Sequence, residues 1–160
     1  MQSDDPLEHR ILAGLVTQVP PMRLDYTNLR IFKGAPPPEY KGNYVHLKSP
    51  KMSQLVVQEH KTAGTYGALT RKLPEPVYTL IKQWATENPD KPLLDMLPNT
   101  LGKMITRIFM KHIHKPITMN TLRHSYVTAA RAGDRKLSEV RQIAKELGHS
   151  IYTNEAYRRD

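Results

Sequence analysis

The stretch from Met119 to Tyr157, MNTLRHSYVTAARAGDRKLSEVRQIAKELGHSIYTNEAY, decides how the rest of the chain is read. Its first part carries Leu122, Tyr126, Val127 and Ala130 at helical spacing, an apolar stripe flanked by Arg123 and His124. Gly133 follows where a helix-ending glycine is expected. The second part predicts a helix capped by Asp134, with Leu137, Val140, Ile143, Ala144 and Leu147 on one face and a stop at Gly148. His149 therefore stands at a helix end, and Tyr157 follows a short way on. Folding this segment back on itself brings an arginine, a histidine and a phenol together, and those three groups can do phosphoryl chemistry.

The chain around it has 160 residues, of which 39% are hydrophobic, enough for one domain with a proper core and too few for two. Lys and Arg number 24 against 15 Asp and Glu, a net charge of +9 that favours a polyanionic partner, nucleic acid first. Cysteine is absent, which excludes disulfides and thiolate zinc sites and makes an intracellular protein the simpler expectation. No run approaches the ~18 apolar residues of a membrane span, and MQSDDPLEHR lacks signal-peptide character. The expectation is a soluble, unprocessed protein that is not secreted.

Upstream, Asp5 and Glu8 at capping-box spacing, Pro6 in the first turn, and Leu7, Ile11, Leu12 and Leu15 on one face predict a helix over about residues 5–18, ended by Pro20 and Pro21. The turn-rich GAPPPEYKG at 34–42 separates the short apolar run Leu29–Phe32 from Tyr44–Leu47. Gln54–Gln58 and the Tyr66–Leu69 region flank a turn, HKTAG, and read as a β-hairpin with Lys61 at its tip. A further helix is predicted from Pro74-Glu75-Pro76, with Val77, Leu80, Ile81 and Trp84 on one face. The next starts at Asn99 or Thr100 and carries Leu101, Met104, Ile105, Ile108 and Phe109. Its basic end, Lys111, His112, His114 and Lys115, suits the negative end of a helix dipole. His112 and His114 do not read as a metal pair, because residues two apart on a helix point in different directions. The expected fold is α+β, mostly helical, with a small three-stranded antiparallel sheet carrying the Lys61 hairpin.

Three ordered boxes carry a resemblance. TLRHSY at 121–126, and LGHS at 147–150 followed by Tyr157, resemble the second and third signature boxes of the tyrosine recombinases. PPMRLDY at 20–26 is similar to the first box, in the form carried by Crypton transposons and large DNA viruses. The resemblance implies that 1–160 is a single catalytic domain, matched over 20–157, without the N-terminal DNA-clamping, core-binding domain of relatives. It also implies that Arg23 and Arg123 clamp the scissile phosphate, that Lys61 reaches it from a β-turn, that His149 is the box III histidine and that Tyr157 is the nucleophile. The family usually places His or Lys three residues before the second arginine. Here that position is Asn120, read either as a phosphate contact or as a helix N-cap.

The chemistry explains the set. A phosphodiester repels nucleophiles, and its non-bridging oxygens gain charge in the transition state, so two permanently charged bidentate arginines suit the site. A phenol with a pKa of about 10 needs nearby cations and a proton acceptor. The departing 5′-hydroxyl needs a general acid, the role that falls to Lys61. The family resemblance implies nicking and rejoining through a 3′-phosphotyrosine link, on double-stranded DNA, with no metal, nucleotide or other cofactor. It implies a tetrameric synapse of the full-length protein, in the nucleus or wherever the target DNA resides. Two other function classes compete: a type IB topoisomerase, which acts alone, and a DNA-binding module whose catalysis has decayed, as Asn120 suggests. Tyr152 also follows His149 and is the alternative nucleophile, although Tyr157 has the greater reach.

Overall fold

The computed structural model describes residues 4–130 and 136–147 and is α+β. Helix α1, Leu7–Gln18, buries Ile11, Leu12, Leu15 and Val16, the spacing expected of its apolar face. Each such side chain contributes about 1.5–3 kcal/mol on leaving water. The face packs on α3, Glu75–Glu87, and on α4, Pro98–Ile113. Gly14 sets the α1–α3 approach, since a Cβ there would lie 2.8 Å from Val77 Cγ2.

Asp5 does not cap α1, which begins after Pro6 with no side-chain cap. Its carboxylate is buried and pairs with Lys111 Nζ at 2.6 Å and His112 Nε2 at 3.1 Å. The expected capping box is thus replaced by a tie between the start of α1 and the last turn of α4. A buried carboxylate needs cationic partners more than a helix start needs an acceptor. His114 takes the left-handed conformation just past α4, and its N–H closes on Met110 O.

Among the described residues the sheet has four strands, not the expected three, and is mixed: β1 Arg30–Phe32, β2 Tyr44–His46, β3 Gln54–Val57 and β4 Leu69–Lys72, in that order. β1 and β2 run parallel and the other pairs antiparallel. A parallel neighbour requires a crossover, and the proline-rich segment 33–43 makes it unusually briefly. Side-chain amides hold that crossover in place of a helix. Gln58 Nε2 donates to Tyr40 O and Gly42 O, while Phe32, Tyr40 and Tyr44 meet edge to face. The β3–β4 hairpin forms as expected, but its connection contains a single helical turn, α2 Ala63–Tyr66, so the last strand starts later than the predicted Tyr66–Leu69 region.

Helices α5, Met119–Ala130, and α6, Leu137–Glu146, complete the described fold. The predicted face of α6 is buried at Val140, Ile143, Ala144 and Leu147. Its first turn is closed by the Glu139 carboxylate, which accepts from the Lys136 N–H; the expected cap Asp134 lies outside the described residues. On α5 the buried stripe is Met119, Arg123 and Val127, whereas Leu122 and Tyr126 are only partly covered. Arg123 therefore lies on the inward face rather than flanking it. Thr118, not Asn120, caps α5: its Oγ1 accepts from the Thr121 N–H at 3.2 Å. Among the described residues no helix is long and apolar enough to cross a membrane.

Candidate functional site

The turn that follows α1 carries Arg23, and Tyr26 fixes its shape. The Tyr26 ring is fully buried and its hydroxyl accepts from the Met22 N–H at 2.8 Å, closing the turn over Arg23, Leu24 and Asp25. Burial pushes the Tyr26 phenol up to about 12, so it stays protonated at neutral pH. Arg23 is half-buried, and its Nε is shielded from solvent with no hydrogen-bond partner among the described residues.

Arg123 meets this turn from α5. Its side chain is 0% exposed, Nη1 donates to Pro21 O at 3.4 Å and Nη2 donates to Leu147 O at 3.3 Å. One guanidinium thus joins the residues just before Arg23 to the end of α6. Both acceptors are neutral main-chain carbonyls. Asp25 supplies the nearby negative charge. Burial raises its carboxyl above the ordinary value, while His60, Arg123 and Arg23 pull it down, so both arginines act on one carboxylate.

A second polar contact braces the same seam. Arg71 on β4 donates to Glu146 O, and Tyr126 Oη donates to Glu146 Oε2 at 2.8 Å. Burial, with the Glu146 carboxylate, pushes the Tyr126 phenol up. The two sides of the junction, β4 and α5, are therefore both latched to the last turn of α6.

Lys61 is exposed in the connection between β3 and β4. That connection is tied toward the arginines through Asn43, whose Nδ2 donates to Asp25 O at 3.2 Å and to Glu59 O at 3.1 Å, and whose Oδ1 accepts from the Glu59 N–H at 2.8 Å. Asn120 is exposed on the first turn of α5 and lines a groove of about 1000 Å³ together with Arg23 and Asp25. His149, Tyr152 and Tyr157 lie outside the described residues, as do Gly133 and Gly148.

The opposite wall of the groove includes Lys103, Thr106 and Arg107 of α4. None of these three residues belongs to a signature box. Their signal was present: Lys103 and Arg107 are four apart and fall between the apolar positions Leu101, Ile105 and Ile108. Asp25 was quoted in the first box and given no role. Among the described residues no three His, Asp or Glu side chains stand together as a metal site.

No family model and no curated protein matches the chain. A solved structure does: the crystal structure of XerA recombinase superposes with a TM-score of 0.66 at 19% identity, over 99% of this chain and 54% of that one. The chain thus spans about half the length of XerA. At that identity the likeness is one of fold alone.

Proposed function

We propose that this chain cleaves and rejoins DNA strands in site-specific recombination or integration, with Arg23 and Arg123 on the scissile phosphate and Tyr157 as nucleophile. The observation that carries the reading is the Arg123 guanidinium, bonded both to Pro21 O beside the Arg23 turn and to Leu147 O, two residues before His149. It supports a single phosphate site assembled from three distant boxes. In the cleavage step the Tyr157 oxygen bonds to phosphorus as the bond from phosphorus to the 5′-oxygen breaks. The phenolic proton passes to His149 or solvent, Lys61 protonates the departing 5′-oxygen, and a 3′-phosphotyrosine results. Rejoining reverses each transfer, so the bond energy is retained without a nucleotide. Asn120, which cannot shuttle a proton, donates a hydrogen bond to the phosphate. The motif in the first box supports a mobile-element recombinase of the Crypton or large-DNA-virus kind, working in a tetrameric synapse, wherever its target DNA resides in the cell.

The groove between the Arg23 turn and α4, with Lys103 and Arg107 on its wall, suits the duplex backbone. Each phosphate it neutralises lowers log K by about 0.9 per log unit of salt. The test is covalent trapping on nicked suicide duplexes of randomised sequence. Arg23→Ala is expected to lower adduct formation by about 10²–10³-fold while duplex binding changes little. An Arg23→Ala variant that forms adduct at the parental rate would contradict the shared phosphate site.

A further inference from the structure

The connection that carries Lys61 has its own fastening, and it uses residues outside the signature boxes. At its start, the Asn43 side chain pairs with both the N–H and the C=O of Glu59, as a neighbouring strand would, and its remaining amide hydrogen reaches Asp25 O. Across it, His60 Nε2 lies 2.8 Å from Gly67 O. A carbonyl can only accept, so Nε2 carries the proton, and Nδ1 faces the Thr62 hydroxyl at 3.3 Å. Gly67 has φ +67, a conformation that L side chains rarely adopt, which presents its carbonyl back toward His60. Lys61, next in sequence to His60, is held between these two fastenings although its own side chain is exposed.

We propose that Asn43 and His60 are positioning residues that set the Lys61 turn against the Arg23–Asp25 turn. A long flexible ammonium delivers a proton to one particular leaving oxygen only if its main chain is held. The Asn43 clasp fixes where the turn begins relative to Asp25, and the His60 ring fixes its width. This inference rests on the reading of Lys61 as the general acid.

The experiment uses a leaving group that needs no proton. On the duplex that covalent trapping selects from the randomised pool, the bridging 5′-oxygen is replaced by sulfur, which departs as a thiolate. Lys61→Ala and His60→Ala are both expected to slow single-turnover cleavage of the ordinary strand by about 10–100-fold. Both should cleave the sulfur-bridged strand within about twofold of the parent, with unchanged duplex affinity. His60→Gln, whose amide keeps a donor near the Nε2 position, should recover most of the ordinary rate. Asn43→Ala should match His60→Ala on both strands if it folds, and His60→Ala carries the test if it does not. The proposal is overturned if His60→Ala cleaves the ordinary strand at the parental rate, or if sulfur fails to rescue it while rescuing Lys61→Ala. Should sulfur fail to rescue Lys61→Ala itself, the general-acid reading falls, and this proposal falls with it.

Discussion

Where α1, α3 and α4 meet one another and the sheet, the contacts are between apolar side chains such as Ile11, Leu15, Val77, Ile81 and Leu101. Where α5 and α6 meet the Met22–Tyr26 turn, a small apolar cluster of Val127, Ile143 and Leu147 is joined by Arg123, Arg71 and Tyr126 reaching main-chain carbonyls and one carboxylate. The first region uses a non-directional force proportional to area, and many sequences would satisfy it. The second uses directional donors whose loss leaves buried acceptors unpaired. The difference places a buried arginine against the turn that lines a groove, where charge can bind an anion.

Substitutions in each region test that contrast. The largest effect is expected in the apolar core, where Ile81→Ala should cost about 2–5 kcal/mol by denaturant titration and leave DNA affinity per folded molecule unchanged. In the seam, Arg123→Met keeps volume and removes the donors, so Pro21 O and Leu147 O lose their partner. A cost of about 2–4 kcal/mol is expected, and a neutral or stabilised Arg123→Met would show that the seam is held by packing as the core is. Gly14→Ala separates helix propensity from packing: propensity alone predicts a gain of about 1 kcal/mol. The contact with the stiff, buried Val77 opposes it, and a net loss of about 1 kcal/mol is expected.

The smallest effect concerns pH. Burial raises the Asp25 carboxyl above its ordinary 3.8, despite His60, Arg123 and Arg23. The folded state therefore holds that proton more tightly than the unfolded chain. Its stabilising contribution is fully present below the unfolded value and is lost as pH rises through the folded one. Asp25→Asn should accordingly raise the denaturation midpoint slightly at pH 7 and leave it unchanged near pH 3. A lower midpoint at pH 7 would mean that the arginines outweigh burial.

This contrast also governs what was legible in the sequence. Apolar periodicity located α1, α3, α4 and α6 because burial of Leu, Ile and Val follows helical spacing. It misread α5, because an arginine counts as an outward residue until carbonyl partners such as Pro21 O and Leu147 O are known. Asp5 was assigned by local spacing, while its partner Lys111 lies 106 positions further along the chain, with His112 beside it. The parallel β1–β2 pair was illegible because the crossover is held by Gln58, an amide in a later segment. The boxes containing Arg23 and Arg123 were readable as motifs, whereas the place of Lys103 and Arg107 on the groove depends on how α4 packs against the Arg23 turn.

The most direct test of the account is the identity of the residue that becomes bonded to DNA. Covalent adduct formed on nicked suicide duplexes can be digested with nuclease and trypsin and the modified peptide fragmented by mass spectrometry. Cleavage after Lys145 and Arg158 leaves both Tyr152 and Tyr157 in one peptide, so the fragment ions must separate them. A nucleotide joined through its 3′-phosphate to Tyr157 is expected, lost in Tyr157→Phe and retained in Tyr152→Phe, with duplex binding intact in both. A nucleotide on Tyr152 or any other residue, or an adduct that persists in Tyr157→Phe, would contradict it.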